Sequence, residues 1–213
     1  NATTVKNKVK RFPEGVTEII KDRKRIAVGR SIYDFWLKEY RGVDPADGAA
    51  LYRFDREGGA VWSDEDCRTI NGVEVTTKQA KAKYHYAGSA IPDWYGGINT
   101  SLSYRNWELS ALFSYGIGGK VYDYSYMMLM SVGQYGRAMH ADIKNRWQKP
   151  GDITDVPRLD GYYVTDFNAE SDRWLVDADY FSMKSLTVGY ALPMRWISKI
   201  GIKSAKMSVT GEN

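Results

Sequence analysis

Large and small side chains alternate from Gly96 to Tyr115, and this alternation is the clearest signal in the chain. The larger side chains fall in one phase: Ile98, Thr100, Leu102 and Tyr104, then Trp107, Leu109, Ala111, Phe113 and Tyr115. The other phase is small or polar, with Leu112 as the exception. Because successive side chains of a strand point to opposite faces, the pattern predicts a β-hairpin with one apolar face and a turn at Arg105 and Asn106.

Three further segments have strand-like patterns. Residues 30–40 are rich in β-forming side chains. Residues 180–192 change phase after Met183, which predicts a β-bulge near Lys184 and Ser185. Pro193 ends that strand, residues 196–200 have the spacing of one short helical turn, and residues 205–210 alternate as a last strand.

Aromatic residues stand at the ends of these strands. Trp107 and Tyr115 are eight residues apart, which is roughly 26 Å along an extended strand and about 20 Å of height at a tilt of ~40°. Tyr180 and Tyr190 bracket another strand over a similar distance. The spacing approaches the ~25 Å apolar band between the two aromatic girdles of a membrane barrel, and it favours strands that cross a membrane.

The connections are of two kinds. Residues 105–106, 193–203 and the basic stretch 10–25 are short or moderate, whereas 42–95 and 116–179 are very long. Antiparallel strands alternate in direction, so the short connections are expected at one rim and the long ones at the other, as in outer-membrane barrels with long loops outside the cell. Within the second long loop, residues 124–147 are compatible with helix, and their methionines are expected to fill a loop core.

Composition narrows the class of protein. Aromatic residues make up 14% of the chain, mean hydropathy is −0.48, and no stretch approaches the ~18 apolar residues of a membrane helix. The net charge of +4 comes from scattered Lys and Arg, which argues against nucleic-acid binding. Cys67 is single and is interpreted as an incidental loop thiol. The sequence begins without a signal peptide, and Asn1 is expected to lie in the middle of a strand. Both features predict a fragment of a longer protein.

Sequence motifs for catalysis or metal binding are absent. His85 and His140 have no ligand neighbours at useful spacing, and no nucleophile elbow or phosphate loop occurs. Asp44 and Asp47 supply too few oxygens for calcium, so residues 44–48 are interpreted as a proline–glycine turn. We therefore expect no enzyme activity, no metal and no cofactor.

Aromatic residues near the loop ends are the candidate substrate-binding residues, because exposed rings stack on sugars or on peptide side chains. The candidates are Trp62, Trp94, Tyr95, Tyr135, Trp147, Tyr162 and Tyr163.

Several longer runs occur in a characteristic order. They are "VGRSIYDFWLKEYRGVDPADG" from Val28, "GSAIPDWYGGINTSLSYRNWELSALFSYGIGGKVYD" from Gly88, "WQKPGDITDVPR" from Trp147, "YFSMKSLTVGYALP" from Tyr180 and "VTGEN" from Val209. Together they resemble the C-terminal barrel region of SusC/RagA-like TonB-dependent transporters of Bacteroidetes. The resemblance covers nearly the whole chain.

The resemblance implies an all-β fold, in which residues 1–213 are the C-terminal part of a 22-stranded outer-membrane barrel without its plug and closing strand. It implies long extracellular loops, one of them partly helical. Its partners would be a SusD-like surface lipoprotein, outer-membrane lipid and, through the missing N-terminal region, TonB-ExbB-ExbD. The implied function is TonB-dependent import of glycans, oligosaccharides or peptides. The family's fuller acidic loop is reduced here to "DPADG", which puts an ion at that loop in doubt.

The main rival is a secreted carbohydrate-binding or adhesive β-domain. Such a domain would bury its apolar strand face under a second sheet and would not need long loops on one side only.

Overall fold

The computed structural model describes residues 1–131 and 136–213, and β-strands dominate them. The strands in chain order are β1 (Ala2–Thr3), β2 (Glu18–Lys21), β3 (Lys24–Ala27), β4 (Asp34–Lys38), β5 (Tyr40–Val43), β6 (Ala50–Arg53), β7 (Cys67–Ile70), β8 (Val73–Thr76), β9 (Tyr84–Ser89), β10 (Trp94–Tyr104), β11 (Trp107–Ile117), β12 (Lys120–Tyr122), β13 (Leu175–Asp177), β14 (Tyr180–Ala191) and β15 (Lys206–Glu212). The strands of the five-stranded sheet and of the two four-stranded sheets pair antiparallel, which confirms the all-β fold class.

Helices are few and short. The α-helices are α1 (Tyr124–Leu129), α2 (Val164–Phe167) and α3 (Met194–Ile197), and 3-10 turns lie at Gln79–Lys81, Ala141–Asn145, Asp172–Trp174 and Ser198–Ile200. Among the described residues, none of the helices has the length and apolar character that a bilayer crossing requires. The helical turn expected after Pro193 is confirmed by α3.

The chain divides into two units, which we call the strand unit and the loop unit. The strand unit comprises residues 1–6, 91–119 and 177–213, and the loop unit comprises residues 7–90 and 120–176.

The strand unit is one five-stranded sheet in the order β1-β10-β11-β14-β15. The hairpin of β10 and β11 turns at Arg105 and Asn106, where Arg105 has a left-handed φ of 53°. The Asn106 side chain donates to the Ala191 carbonyl at 2.7 Å, so the turn is also fixed to β14. The predicted hairpin and its turn are confirmed.

A bulge in β14 keeps the apolar face continuous. Leu112 pairs with Ser185 while Phe113 pairs with Met183, so Lys184 is the extra residue. Directly opposite residues share a face, and the pairs across the bulge are Tyr115 with Phe181, Phe113 with Met183, Ala111 with Leu186, Leu109 with Val188 and Trp107 with Tyr190. The bulge predicted at Lys184 and Ser185 is thus confirmed, and it corrects the change of phase in the sequence.

Both long connections leave the sheet at the same end. Thr3 pairs with Tyr95, and Gly116 pairs with Tyr180, so the chain departs after β1 and after β11 at the end where β10 and β14 begin. The short connections 105–106 and 192–205 lie at the opposite end. The expected asymmetry holds for the sheet.

Two assignments from the sequence are wrong. The basic stretch 10–25 is not a short-rim connection, because it lies inside the long excursion from β1 to β10 and contains β2 and part of β3. The strand predicted within residues 30–40 is present as β4, but the start of the first long connection at residue 42 is wrong, because β4 already lies in the loop unit and pairs there with β3 and β9. The apolar β-forming residues of β4 are explained by burial of Phe35 and Leu37 in that unit.

The loop unit has its own sheets and cores. Its sheets have the orders β2-β3-β4-β9 and β5-β6-β8-β7, and β12 pairs with β13. One core cluster contains Ala49, Ala50, Tyr52, Ala82, Phe167 and Ala169, and another contains Met130, Ile143, Val156 and Trp174. The first cluster contains residues from both long connections, so the two connections fold together.

Of the helix expected over residues 124–147, the described part of that range contains α1 and the 3-10 turn Ala141–Asn145. Met130 is buried in the second cluster and Met127 packs against it, whereas Met128 and Met139 are exposed.

Candidate functional site

The first functional surface is the apolar face of the five-stranded sheet. Leu102, Leu109 and Val188 lie on it and are exposed. Trp94 has the same phase at the end where the long connections leave, and Tyr104, Trp107 and Tyr190 lie at the other end. Ten residues separate Trp94 from Tyr104, which corresponds to roughly 26 Å of height at a tilt of ~40°. The face therefore has two aromatic borders at the separation expected for an apolar slab.

The opposite face of the sheet is polar and contains small residues. Thr187 and Thr210 hydrogen-bond across β14 and β15 at 2.9 Å. Glu108 forms an ion pair with Lys206, and both side chains are about half exposed. Tyr180 lays its ring over Gly116, where a Cβ would come within 2.6 Å of the ring. Apolar and polar side chains are thus separated onto the two faces of one sheet.

The second functional surface is a cleft within the loop unit, which we call the loop cleft. It has a volume of about 190 Å³ and is lined by charged residues of both signs together with Tyr163. The charged lining residues are Asp47, Glu65, Asp66, Arg68, Lys78 and Arg158. Such a lining offers hydrogen bonds to polar ligands that carry both charges.

The turn at residues 44–48 supports one wall of the loop cleft. The Oδ1 atoms of Asp44 and Asp47 accept hydrogen bonds from the N–H groups of Ala46 and Ala49, which confirms the predicted turn. Arg68 binds both carboxylates, at 2.8 Å in the case of Asp47. Burial raises the pKa of Asp47, but the hydrogen bonds from Arg68 and Ala49 outweigh burial, and the net pKa lies below its usual value. Both carboxylates of this turn are therefore paired with the same arginine.

The aromatic edge of the loop cleft is Tyr163. Its ring stacks on Phe167 with 5.7 Å between the centroids, and the Lys78 Nζ lies 4.4 Å from its centroid. Lys78 also donates to Asp166 at 3.2 Å. Burial lowers the pKa of Lys78, but the hydrogen bond and charge of Asp166 dominate, and the net pKa is raised. Lys78 is therefore positively charged at neutral pH.

The other predicted aromatics are distributed over both units. Trp62 packs edge-on against Phe54, with 5.2 Å between centroids, and donates to Asp64 at 2.7 Å. Trp147 packs over Gly48 and donates to the Pro45 carbonyl at 3.0 Å. Tyr162 is 97% exposed. Tyr135 lies outside the described residues.

Trp94 and Tyr95 belong to the strand unit, where they take opposite faces. Trp94 shares the phase of Ile98 on the apolar face, and Tyr95 pairs with Gly116 on the polar face. Of the six predicted residues that the structure describes, only Tyr163 lines the loop cleft. The charged residues of the cleft were not predicted, because partners such as Lys78 and Asp166 are 88 residues apart in the sequence.

No group of three metal-binding side chains occurs in the part of the chain that the structure describes. Cys67 is buried, and His85 contacts Asp172 at 2.8 Å, where the same carboxylate accepts the Tyr40 N–H. Asp172 therefore ties β5 to β9.

These features define a class: a membrane-type antiparallel sheet that carries large, folded connections at one end. The chain matches no family model. It is 28% identical over its whole length to TonB-dependent receptor P3 of Formosa agariphila, and 26% identical over 89% of its length to TonB-dependent receptor P26 of the same organism. The resemblance to TonB-dependent receptors is thereby confirmed.

Solved structures agree on the fold. The chain superposes on the RagAB peptide importer in its closed-closed state with a TM-score of 0.74 over 97% of its length, at 20% identity. The chain covers 21% of receptor P3 and 22% of the RagAB chain, so it spans about a fifth of the length of these relatives. All relatives that we name are receptors or importers, in agreement with the expectation that the chain is not an enzyme.

Proposed function

We propose that this chain is the C-terminal part of the barrel domain of a TonB-dependent transporter, which imports nutrients across the bacterial outer membrane. The observation that carries the proposal is the five-stranded sheet, which has one exposed apolar face bordered by aromatic residues and both long connections at one end. Exposure of such an apolar face is unfavourable in water but not in lipid. Long loops at one rim are typical of outer-membrane barrels.

A SusD-like lipoprotein outside the cell and TonB-ExbB-ExbD inside are the proposed partners. The full-length likeness to receptors P3 and P26 and the RagAB fold support them. The cargo is proposed to be an oligosaccharide, a glycan or a peptide. A peptide is favoured by the loop cleft, since its mixed charges complement a peptide that carries both an ammonium and a carboxylate.

The test is energised uptake by the full-length transporter. Cells that express it should accumulate labelled peptides or oligosaccharides, and accumulation should stop when the proton gradient is dissipated. Lys78→Met in the loop cleft should reduce uptake, whereas Lys144→Met, which changes an exposed lysine outside the cleft, should not. Uptake that continues at the same rate after the proton gradient is dissipated would contradict TonB-dependent import.

The soluble rival is tested by size-exclusion chromatography of residues 1–213 without detergent. We expect aggregation, because the sheet has two open edges and an exposed apolar face. A monodisperse monomer with cooperative unfolding would favour the secreted sugar-binding domain instead.

A further inference from the structure

The loop unit carries a row of cations held over aromatic rings. Arg25 lies over Trp36 with its Cζ 4.6 Å from the ring centroid, and Arg30 lies over Tyr86 at 4.2 Å. Lys38 places its Nζ 5.3 Å from the centroid of Tyr84. We call these six residues the cation–aromatic ladder.

The rings of the ladder form one continuous platform. Trp36 meets Tyr86 edge-on at 4.7 Å and stacks with Tyr84 at 6.1 Å. Trp36 pairs with Tyr86, and Lys38 pairs with Tyr84, so these four side chains share a face of the sheet formed by β4 and β9. The other face of β4 buries Phe35 and Leu37, so the ladder faces away from that core.

The surroundings of the ladder are strongly basic. Residues 6–38 contain ten Lys or Arg and four Asp or Glu, a net charge of +6 in a chain whose total is +4. Glu18 pairs with Arg25, and Asp34 accepts the Ser31 N–H. Lys38 donates to the neutral Gln79, and the Arg30 guanidinium lies over the neutral ring of Tyr86. The ladder therefore retains positive charge for an anionic ligand.

Exposed aliphatic side chains lie close to the same cations in the sequence and sheet. Ile20 pairs with Arg25 in the β2–β3 hairpin and is 61% exposed. Val28 and Ile32 flank Arg30 and are also exposed. A free anion or an acidic sugar has no apolar part that would contact these aliphatic groups. A lipid with a charged headgroup, in contrast, contacts cations through its headgroup and apolar side chains through its acyl chains.

We propose that the cation–aromatic ladder binds the phosphate-bearing headgroups of outer-membrane lipid. The aromatic rings hold the guanidinium groups in place, while the N–H edges of those groups remain available to phosphate oxygens. This inference rests on the proposed outer-membrane location. It adds a binding site in the loop unit that neither strand pattern nor import requires.

The test measures lipid retained by the purified full-length transporter in neutral detergent. Native mass spectrometry compares added bisphosphorylated lipid A with the same lipid after its phosphates have been removed. The ladder variant combines Arg25→Gln, Arg30→Gln and Lys38→Gln. The control variant combines Arg137→Gln, Lys144→Gln and Lys149→Gln, which remove three exposed charges elsewhere in the loop unit. Trp36→Leu removes the ring that contacts both Tyr84 and Tyr86 and leaves every cation.

Wild type and the control variant should retain the phosphorylated lipid in preference to the dephosphorylated one. The ladder variant should bind it roughly 10- to 100-fold more weakly, because it lacks three cations that attract the phosphates. Trp36→Leu should weaken binding to a smaller extent, because all three charges remain and only Arg25 loses the ring beneath it.

Equal retention by the ladder and control variants would overturn the inference. So would a ladder variant that keeps its lipid but loses uptake of acidic oligosaccharides, because the ladder would then bind cargo. Energised uptake, measured on the same variants, separates the two proposals. A transporter that imports normally but does not prefer the phosphorylated lipid contradicts the ladder alone. A transporter that fails to reach the outer membrane contradicts the proposed transport function.

Discussion

Lys206 crosses the backbone of Gly189 to reach Glu108 on the polar face of the sheet. A Cβ at Gly189 would lie 2.7 Å from the Lys206 Cε and 3.8 Å from the Glu108 Cβ. Glycine at this position leaves the path open between β11 and β15, which are not neighbours in the sheet. One ion pair thus joins strands on either side of β14.

Gly189→Ala should therefore displace the Lys206 side chain and break its ion pair. The loss of stability should stay below about 1 kcal/mol, since both charged groups are about half exposed to solvent and a flexible side chain can move aside. Reactivity of Lys206 towards an amine reagent should rise. Gly211→Ala in β15 is the matched control, because no atom lies within 4 Å of its Cβ position. Equal reactivity in both variants would contradict the crossing.

Leu109→Arg and Ser110→Arg should differ sharply in a bilayer. Leu109 pairs with Leu102 and Val188 on the apolar face, whereas Ser110 pairs with Ser101 and Thr187 on the polar face. An arginine facing lipid near mid-membrane costs roughly 2 to 4 kcal/mol. Unfolding of the full-length transporter in liposomes measures the difference. Equal tolerance at both positions would argue against a lipid-facing side.

Cysteine labelling tests the orientation. We expect Asp64→Cys, in the long excursion from β1 to β10, to react with an impermeant thiol reagent on intact cells. Asn106→Cys, at the short-turn end, should react only after the outer membrane is opened. The native Cys67 is buried and gives the background signal. The reverse labelling pattern would invert the topology.

Gly48→Ala should loosen the packing of Trp147. Gly48 has a φ of +74°, and a Cβ there would come within 2.5 Å of the Trp147 ring. Gly72→Ala is a matched control, because Gly72 has a φ of +77° and no atom within 4 Å of its Cβ position. The left-handed backbone costs both variants roughly 1 to 2 kcal/mol. Only Gly48→Ala also suffers the clash, so proteolysis of the loop unit should be faster in that variant.

High pH should unfold the loop unit through its buried tyrosines. Burial raises the pKa of Tyr40 to about 12 and also raises the pKa of Tyr52. An unfolded tyrosine ionises near pH 10, so the stability that the neutral phenols contribute is complete below about pH 10 and is lost as the pH rises through the folded pKa. Ultraviolet absorbance of phenolate follows the transition. Tyr40→Phe should lose less stability between about pH 10 and pH 12 than the wild type.

The sequence by itself determined four strands of the five-stranded sheet, namely β10, β11, β14 and β15. Alternation over residues 96–115 fixed the hairpin and its apolar face, and the change of phase after Met183 located the bulge. These predictions succeeded because strand periodicity is local: each side chain's face follows from its position relative to its neighbours in the chain. The turn at residues 44–48 was predicted for the same reason, since its hydrogen bonds join residues at most five positions apart.

Only the tertiary structure decided the fold of the long connections. The apolar residues of β4 have a pattern that is also typical of a membrane strand, but Phe35 and Leu37 are buried in the loop unit. The local sequence pattern shows that a side chain is apolar, but it does not show whether lipid or a protein core surrounds that side chain. Likewise, the loop cleft depends on pairs such as Lys78 with Asp166, and the cation–aromatic ladder on pairs such as Arg30 with Tyr86. Contacts between residues this far apart in the chain arise from strand pairing and core burial, and a single sequence carries no local signal for them.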